Sequence, residues 1–431
     1  MMLFVLFSSF IILCLVRVPI AFALFLSSTF VIFLDGNVSL TVVTQRIWGG
    51  LNNFPLLAVP FFLVVGQLMN ETGISKRLID FSQSIVGHFK GGLAHVNVIV
   101  SMIVAGISGV SSADTAGVGS VLIPAMVKQG YGKGFTVGVT SASSTLGNII
   151  PPSLMMIIYA ATAGLSVGAM FLTGIIPGLM IGIGQIVFSF YYAFKHEIGA
   201  DHEFSWRNLL KHAKSASLAL VIPIIVIGGI IAGIFTATEA SLIAVVYAFF
   251  LSIVYRQFSF KKFYKLTTFS IGFFSLSLFC VAAASLWGFV LAYYSVPQSI
   301  VASLDSMGLL GSKLLVFTFV ILIFLIIGTF MDAIPAIIIL QPIIGEIGTK
   351  VGINPYHMGA VIVLTLAIGL ITPPYGLCLL IAADLAGISV PKALKAMIPF
   401  FVISLIVVLF AVLFPDAILF IPRLVMPEYM K

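Results

Sequence analysis

The sequence contains unusually few charged residues. Only 8% of its 431 residues are Asp, Glu, Lys or Arg, whereas 61% are hydrophobic, and the mean hydropathy is +1.22. Soluble globular proteins carry about 25% charged residues. The shortage of charge therefore excludes a soluble enzyme, a disordered chain and a collagen-like chain. It predicts an integral membrane protein that crosses the bilayer many times.

Cysteine is also scarce. The three cysteines lie in apolar stretches, they form no CxxC pair, and their number is odd. We therefore expect neither a disulfide framework nor a cysteine metal site, and no cofactor. The net charge is +7. Because the basic residues fall in short loops, this excess indicates the positive-inside bias of membrane topology and not a nucleic-acid partner.

Apolar runs without charge recur along the chain, and none shows the period-two alternation of a membrane strand. Because a helix needs about 20 apolar residues to cross, we expect an all-α polytopic bundle of about ten to thirteen helical segments. Basic residues place the loops at 76–90, 195–214 and 256–265 in the cytoplasm. Residues 215–232 and 241–255 then form a helical hairpin, and 195–214 predicts an amphipathic helix at the membrane surface.

The chain also repeats itself internally at an offset of 222 residues (369 minus 147). The matched pairs are Gly147 with Gly369, Pro151 with Pro373, Pro152 with Pro374 and, at a slightly shorter offset, Asp114 with Asp332. Basic residues precede the first Pro-Pro but follow the second. This switch predicts two repeats inverted across the membrane, an arrangement found in many secondary transporters.

Each repeat contains a glycine followed by Pro-Pro inside an apolar run. Proline lacks a backbone donor and disfavours helical geometry in the preceding residue, so the helix must break at 147–152 and at 369–374. Unwound backbone at membrane depth can bind a cation through its carbonyls, and a half-helix N-terminus can face an anion. A structural kink is the alternative, but two breaks at matched positions favour a binding site.

Each repeat also has a polar interruption upstream of its break, between apolar flanks too short to cross. The first, residues 106–115, includes Ser108, Ser111, Ser112 and Asp114, and the second, residues 328–332, ends in Asp332. We expect each interruption to be the tip of a re-entrant helical hairpin.

The two aspartates are the chemically distinctive residues of these tips. A carboxylate at membrane mid-depth costs about 2.5–3.5 kcal/mol, so Asp114 and Asp332 must be paired, hydrated or protonated. Capping of a helix start is the structural alternative. Neither tip contains Lys or Arg. An anionic substrate would thus be held by helix N-termini, hydroxyls and bound cations, which suits co-transport of cations with an organic anion.

These patterns divide the chain into five parts. They are N-terminal scaffold helices at 1–90; a first transport repeat at 91–194 with a hairpin at 91–127 and a broken helix at 134–161; an amphipathic arm and scaffold helices at 195–313; a second transport repeat at 314–400 with a hairpin at 314–342 and a broken helix at 357–383; and a C-terminal helix and tail at 401–431.

Several motifs occur together over nearly the whole chain. They are LAVPFF from Leu57, GISGVSSADTAGVGSVLIPAM from Gly106, GNIIPPS from Gly147, FTATEA from Phe235 and GLITPPYG from Gly369. In combination they resemble the large membrane subunit of the tripartite ATP-independent periplasmic (TRAP) transporters. Ala237 stands where the family's FTPTEA pattern has proline, which bears only on the local turn.

The resemblance implies an elevator-type secondary transporter of the bacterial inner membrane that is driven by a sodium gradient. The cargo would be a C4-dicarboxylate, sialic acid or a sugar acid. Two partners are implied, a small four-helix membrane subunit and a soluble periplasmic substrate-binding protein. Because this chain begins with the large subunit's first helix, we expect the small subunit to be a separate polypeptide.

Site residues follow from the matching motifs. One sodium site would involve Ser108, Ser111, Gly147 and Pro151, and the other Gly328, Gly369 and Thr372. The candidates for the substrate region are Ser112, Asp114, Asn148 and Asp332.

Two other functions stay open at this point. A self-sufficient sodium-coupled anion symporter shares hairpins and broken helices but needs no binding protein. An intramembrane hydrolase would use Ser111 or Ser112 as nucleophile and His95 as base. No GxSxG elbow, HExxH motif or pair of catalytic aspartates at a recognised spacing supports the hydrolase, so we expect no enzymatic activity.

Overall fold

The computed structural model describes residues 2–200, 203–374 and 376–430, and these residues form 22 α-helices and no strand. The helices are α1 (Met2–Leu15), α2 (Ile20–Asp35), α3 (Thr41–Leu51), α4 (Ala58–Glu71), α5 (Ile74–Val86), α6 (Gly92–Ser108), α7 (Ser111–Lys128), α8 (Lys133–Ser144), α9 (Leu154–Ala163), α10 (Val167–Thr173), α11 (Ile175–Lys195), α12 (Trp206–Pro223), α13 (Gly229–Ile231), α14 (Ala237–Val254), α15 (Phe260–Tyr293), α16 (Val296–Ser306), α17 (Lys313–Gly328), α18 (Ala333–Val351), α19 (Pro355–Gly369), α20 (Leu377–Leu385), α21 (Val390–Leu413) and α22 (Pro415–Val425). Short 3₁₀ turns lie at Phe54–Leu57, Thr145–Asn148 and Pro427–Tyr429, and a π-helical turn lies at Ile224–Gly228.

Among the described residues, seven helical stretches are long and apolar enough to cross a membrane, by length and composition. They are Phe54–Glu71, Val167–Lys195, Trp206–Ile231, Ala237–Val254, Phe263–Tyr293, Ala333–Val351 and Val390–Leu413. The predicted all-α polytopic class is confirmed. Six shorter apolar helices of 10–17 residues accompany the seven stretches, so the described residues contain thirteen apolar helical segments (seven plus six), within the expected ten to thirteen. The charge-free run at 134–194 contains α8, α9, α10 and most of α11.

Two helix pairs stand where the hairpins are expected. In the first, α6 packs against α7 across a tip at 109–110, and in the second, α17 packs against α18 across 329–332. The predicted end of the second hairpin at 342 is wrong, because α18 continues through Pro342 to Val351. Packing of α18 against α9 and α15 holds the helix together although the proline lacks a hydrogen-bond donor.

Two broken helices follow the hairpins. α8 is separated from α9 by residues 145–153, and α19 is separated from α20 by residues 370–376. The Ser166 N–H, just beyond α9, donates a hydrogen bond to Tyr356 Oη at the start of α19 (3.1 Å). At the other end, a Cβ added to Gly134 at the start of α8 would lie 3.4 Å from the carbonyl oxygen of Lys392, which is in the first turn of α21, the helix that follows α20. The two broken helices therefore run antiparallel.

The hairpins and the broken helices exchange contacts between the two halves of the chain. α6 packs against α8 in the first half, and α17 packs against α19 in the second. Across the halves, α7 packs against α20 and α18 packs against α9. A helix of each half therefore packs against the broken helix of the other half. This packing brings both hairpin tips and both helix breaks to the same region.

The described residues of the polar stretch at 195–214 contain the end of α11 and the first half of α12. α12 begins at Trp206, after Ser205 Oγ accepts a hydrogen bond from the Asn208 N–H (3.4 Å). Nothing interrupts α12 where the polar part meets the apolar part, so both belong to the candidate span Trp206–Ile231. α12 then packs against α14, which forms the hairpin expected between 215 and 255.

The predicted boundary between residues 400 and 401 is also wrong. α21 runs from Val390 to Leu413 without interruption and includes Pro399. Residues 390–400 and 401–413 thus form one rigid element, because continuous apolar sequence on both sides of the proline packs against α8, α11 and α19.

Candidate functional site

The first hairpin tip holds a buried carboxylate. Asp114 lies in the first turn of α7, is 1% exposed, and accepts a hydrogen bond from the Ser108 hydroxyl (2.5 Å to Oδ1). Asp114 Oδ2 and Ser111 Oγ are buried and have no hydrogen-bond partner among the described residues. A Cβ added to Gly147 would lie 2.6 Å from Asp114 Oδ2, so a glycine is required where the carboxylate meets the first break. This cluster can offer oxygen atoms to a cation.

Gly109 fixes the first tip against the first break. Its φ is +65°, a region that glycine adopts without steric cost. The Leu154 N–H at the start of α9 donates to the Gly109 carbonyl (3.3 Å). A Cβ added to Gly109 would lie 2.6 Å from the Pro152 carbonyl oxygen, so no larger residue allows this approach.

Within the first break, the peptide bond between Pro151 and Pro152 is cis. Ser153 then begins the next helix segment. Its hydroxyl donates to the Asn148 carbonyl (2.5 Å) and accepts a hydrogen bond from the Met156 N–H (3.3 Å). Ser153 is thus the N-cap of α9 and ties the start of that helix to the end of the 3₁₀ turn before it.

The second tip meets the second break through backbone alone. A Cβ added to Gly369 would lie 2.9 Å from both the Cα and the carbonyl oxygen of Gly328. The Thr372 N–H donates to the Gly369 carbonyl (3.1 Å), and the Thr372 hydroxyl donates to the Ile368 carbonyl (2.7 Å). The Pro373–Pro374 peptide bond is cis. Residue 375 of the family-like motif lies outside the described residues.

Both tips and both breaks line one cavity of about 90 Å³. The lining residues are Val110, Ser111, Ser112, Asn148, Leu154, Met155, Asp332, Ala333, Ile334, Leu370 and Leu377. All of them come from the two hairpins and the two broken helices. The cavity is therefore the place where the two halves of the chain meet.

Helix N-termini converge on this cavity. The first residues of α7, α9, α18 and α20 are Ser111, Leu154, Ala333 and Leu377, and all four line it. A helix N-terminus has unpaired backbone N–H groups and the positive end of the helix dipole, and both favour a negative ligand. Since no described lining residue is Lys or Arg, the arrangement can bind an anion through backbone amides and hydroxyls.

The structure brings three of the predicted substrate residues together. Ser112, Asn148 and Asp332 line the cavity. Asp114, which was predicted with them, does not line it, because its carboxylate faces Ser108 and Gly147 behind the tip. Asp114 thus lies with the residues predicted for the first sodium site.

The remaining predicted residues lie around the same region. Ser111 reaches both the cavity and the Asp114 cluster. Pro151 is near the first tip, since its carbonyl oxygen lies 3.8 Å from a Cβ added to Gly106. Gly328, Gly369 and Thr372 form the contact between the second tip and the second break described above.

His95 does not reach the tip serines. It lies in the first turn of α6, where its Nε2 is 3.1 Å from the Lys90 carbonyl oxygen and its ring stacks on Phe190. Thirteen residues of α6 separate it from Ser108, which is about 20 Å along a helix axis. The Ser–His pairing of a hydrolase is therefore wrong.

Sequence reasoning missed the apolar part of the cavity. Leu154, Met155, Leu370 and Leu377 line it beside the polar residues. Their positions next to the predicted breaks were the only sequence signal that could have marked them as cavity residues. An apolar side chain by itself does not show whether it lines a cavity or faces lipid.

Comparison with known proteins gives consistent matches. Residues 7–417 match the family described as "Tripartite ATP-independent periplasmic transporter, DctM component". The chain is 36% identical over 399 residues to the C4-dicarboxylate TRAP transporter large permease protein DctM of Pseudomonas aeruginosa, covering 92% of this chain and 93% of that protein. It is 33% identical over 407 residues to the sialic acid TRAP transporter large permease protein SiaM of Vibrio cholerae, covering 94% and 95%.

Among solved structures, the chain is similar to the YdaH transporter of Alcanivorax borkumensis. The TM-score is 0.58 at 16% sequence identity, over 88% of this chain and 89% of that one. At this identity the similarity bears on the fold alone, and it agrees with an all-helical architecture.

Proposed function

Because this chain belongs to the DctM family of TRAP transporters, we propose that it imports an organic acid together with sodium ions. The chain is a large permease subunit, a multi-pass protein of the inner membrane, and not an enzyme. Relatives are named for C4-dicarboxylate, for sialic acid and for 2,3-diketo-L-gulonate, so the cargo is proposed to be an acid of this kind.

The observation that carries the proposal is the cavity at which four helix N-termini meet and which has no basic side chain among its described lining residues. An acid bound there would face backbone amides of both halves and the hydroxyls of Ser111 and Ser112. This binding favours an anion but supplies no full positive charge. A bound cation beside the cavity would supply that charge, which is the physical reason for coupling the acid to sodium.

We place the two sodium ions where each tip meets its break. The first site consists of Ser108, Ser111, Asp114, Gly147 and Pro151. Its support is the buried carboxylate oxygen of Asp114 and the buried hydroxyl of Ser111, which have no hydrogen-bond partner among the described residues. Oxygen atoms of this kind suit a small hard cation.

The second site is proposed to consist of Gly328, Gly369 and Thr372. The two glycine backbones approach within contact distance there, so carbonyl oxygens of the tip and the break can point at one ion. Asp332, which caps α18 nearby, stays with the substrate cavity in this proposal.

An elevator motion is proposed for the translocation step. All described cavity-lining residues come from α7, α9, α18 and α20 or from the tips and breaks that join them to α6, α8, α17 and α19. Among the described residues, none of those that line the cavity comes from α1–α5 or from α12–α16. The cargo site could therefore move as one body past those other helices, which would form a fixed scaffold.

The proposed partners are a small four-helix membrane subunit and a soluble periplasmic binding protein. Reconstitution in liposomes tests this assignment. The purified chain is incorporated with and without the small subunit, and uptake of succinate, sialic acid and 2,3-diketogulonate is measured with each binding protein. We expect uptake only when the small subunit, a cognate binding protein and an inward sodium gradient are all present.

Uptake that persists when one of these components is left out would contradict a specific part of the proposal. Uptake by this chain alone would show the self-sufficient symporter instead. Uptake that is unchanged when potassium replaces sodium would overturn sodium coupling. A proton gradient imposed without sodium serves as the control for an unspecific driving force.

A further inference from the structure

Asn97 joins two helices of the first repeat by hydrogen bonds across their interface. It lies on α6 and is fully buried. Its Nδ2 donates a hydrogen bond to the Thr140 hydroxyl of α8 (2.7 Å), and its Oδ1 accepts one from the Ser143 hydroxyl (3.1 Å). Ser143 Oγ in turn accepts a hydrogen bond from Ser101 Oγ of α6 (2.9 Å). We call these four side chains the Asn97 network.

The helices that carry this network end at the proposed first sodium site. α6 ends at Ser108, whose hydroxyl donates to Asp114, and α8 leads through a 3₁₀ turn to Gly147, which lies against the same carboxylate. Ser101 stands seven residues before Ser108 (108 minus 101), which is about 10 Å along a helix axis. The network therefore lies one to two helical turns from the buried carboxylate.

Asn97 also contacts the second arm of the first hairpin. Its Nδ2 lies 3.6 Å from Met126 Sδ of α7. Because α7 carries Asp114 in its first turn, the three helices that shape the first sodium site meet at one buried amide. A change in the alignment of any of these helices would break a contact of Asn97.

The second repeat packs the corresponding helices, α17 and α19, without such a network. Thr318 is the one uncharged polar residue of α17, and its hydroxyl donates to the Leu314 carbonyl of its own helix (2.9 Å). Thr365 stands 222 residues after Ser143 (365 minus 143), and its hydroxyl donates to the Val361 carbonyl of α19 (2.7 Å). Among the described residues, no side-chain hydrogen bond joins α17 to α19. A hairpin can thus pack on a broken helix without polar side chains.

The two sodium sites differ in what their alignment must achieve. The second tip meets its break through the backbones of Gly328 and Gly369, whereas the first tip must place the Asp114 carboxylate against Gly147. Buried hydrogen bonds fix the register of two helices, because a slip leaves a donor or an acceptor unpaired in a medium that cannot replace it. The network therefore occurs in the repeat whose site depends on the position of a side chain.

We propose that the Asn97 network consists of positioning residues for sodium. It holds the ends of α6 and α8 in the register in which Asp114 turns its unpaired oxygen toward the first site. The network residues act through Asp114 and do not contact the ion. This inference rests on the proposed function, since it assigns the residues that shape the sodium site proposed there.

Direct binding of sodium tests this role without a choice of cargo acid. The full chain is purified in lipid nanodiscs, and displacement of radioactive sodium by sodium chloride is measured, with choline chloride keeping the ionic strength constant. The variant Asp114→Asn identifies the part of the displacement curve that belongs to the first site. The melting temperature in choline chloride alone reports the stability of each variant separately from its sodium affinity.

Thr140→Val removes a hydroxyl from the network and keeps the methyl group, so Asn97 loses a hydrogen-bond acceptor. We expect the sodium concentration for half-displacement at the first site to rise about 3- to 30-fold, the range for residues that act through a neighbour. Thr140→Ser keeps the hydroxyl and should stay within about twofold of the unmodified chain. Thr365→Val, the matched control, should also stay within about twofold, because that buried hydroxyl bonds within its own helix.

Two further variants show how the network acts. Thr140→Val combined with Asp114→Asn should bind sodium within about twofold of Asp114→Asn alone, because the group that the network positions is gone. Ser101→Ala removes one hydroxyl and leaves the hydrogen bond between Asn97 and Thr140 in place, so α6 and α8 should stay packed. It should weaken binding at the first site by at least about twofold.

The outcomes separate this inference from the proposed function. Unchanged first-site binding in Thr140→Val, or equal weakening in Thr140→Ser or Thr365→Val, would overturn the positioning role and leave the sodium site standing. A lower melting temperature in choline chloride with intact sodium affinity would also overturn it, as would equal weakening by Thr140→Val with and without Asp114. Sodium binding that is unchanged in Asp114→Asn would instead remove the proposed site, and the positioning role with it.

Discussion

Replacing Asp114 by asparagine should nearly abolish sodium-driven uptake at ordinary sodium concentrations. The carboxylate is fully buried, and one of its oxygens has no partner among the described residues. A contact with a charged group contributes about 1.5–3 kcal/mol. Because each 1.4 kcal/mol is a factor of ten, the sodium concentration for half-maximal uptake should rise about 10- to 150-fold. Initial uptake rates in proteoliposomes at graded sodium concentrations measure this shift.

Asparagine is the informative replacement because it keeps the size of the side chain and can still accept the Ser108 hydrogen bond. Asp305→Asn removes an exposed carboxylate and should leave the sodium dependence unchanged. If Asp114→Asn lowered the maximal rate while the half-maximal sodium concentration stayed the same, Asp114 would not be a sodium ligand. A purely structural role would lower the amount of folded protein and leave the sodium dependence of the remainder intact.

A disulfide between Asn70→Cys and Gly117→Cys should stop transport completely. Asn70 lies on α4 of the proposed scaffold, and Gly117 lies on α7 of the proposed moving part. A Cβ added to Gly117 would lie 2.6 Å from Asn70 Cγ, so the two Cβ atoms fall within the roughly 3.5–4.5 Å that a disulfide needs. An elevator motion slides α7 past α4, and the crosslink forbids this. We expect oxidation to reduce uptake by at least about tenfold and a reductant to restore it.

A second disulfide provides the matched control. In Gly50→Cys/Ser285→Cys the crosslink joins α3 to α15 inside the proposed scaffold. A Cβ added to Gly50 would lie 2.8 Å from Ser285 Cβ, so the two helices must move apart by about 1 Å to reach disulfide geometry. Oxidation of this pair should leave uptake unaffected. Each single cysteine variant of the first pair is treated in the same way. Undiminished uptake by the fully oxidised Asn70/Gly117 pair would rule out relative motion of these helices.

The positions of the helix breaks follow from sequence because their cause is local. Pro151 and Pro373 lack a backbone donor and restrict the residue before them, whatever surrounds them. Other prolines show the limit of that reasoning. Pro342 and Pro399 lie inside continuous helices, since packing against neighbouring helices outweighs the loss of one donor. Local rules therefore located the breaks but misplaced the ends of the second hairpin and of the second repeat.

The assignment of Asp114 depended on tertiary contacts that sequence did not supply. Both Asp114 and Asp332 stand at hairpin tips, and sequence placed both with the substrate. The structure separates them because Gly147, which has no side chain, lets the first carboxylate turn toward its own break. Asp332 instead caps α18 and stays at the cavity. The contact between residues 114 and 147 could not be deduced from either segment alone.

Cysteine labelling measures most directly whether the two hairpins enter from opposite faces of the membrane. Lys128 and Lys350 are exposed and lie at the ends of the first and second hairpins. Each is replaced by cysteine in a chain whose three native cysteines are alanine, and intact spheroplasts and inverted vesicles are treated with an impermeant maleimide. We predict that Lys350→Cys reacts in spheroplasts and Lys128→Cys only in inverted vesicles. Reaction of both positions from the same side would contradict a site formed by two inverted halves.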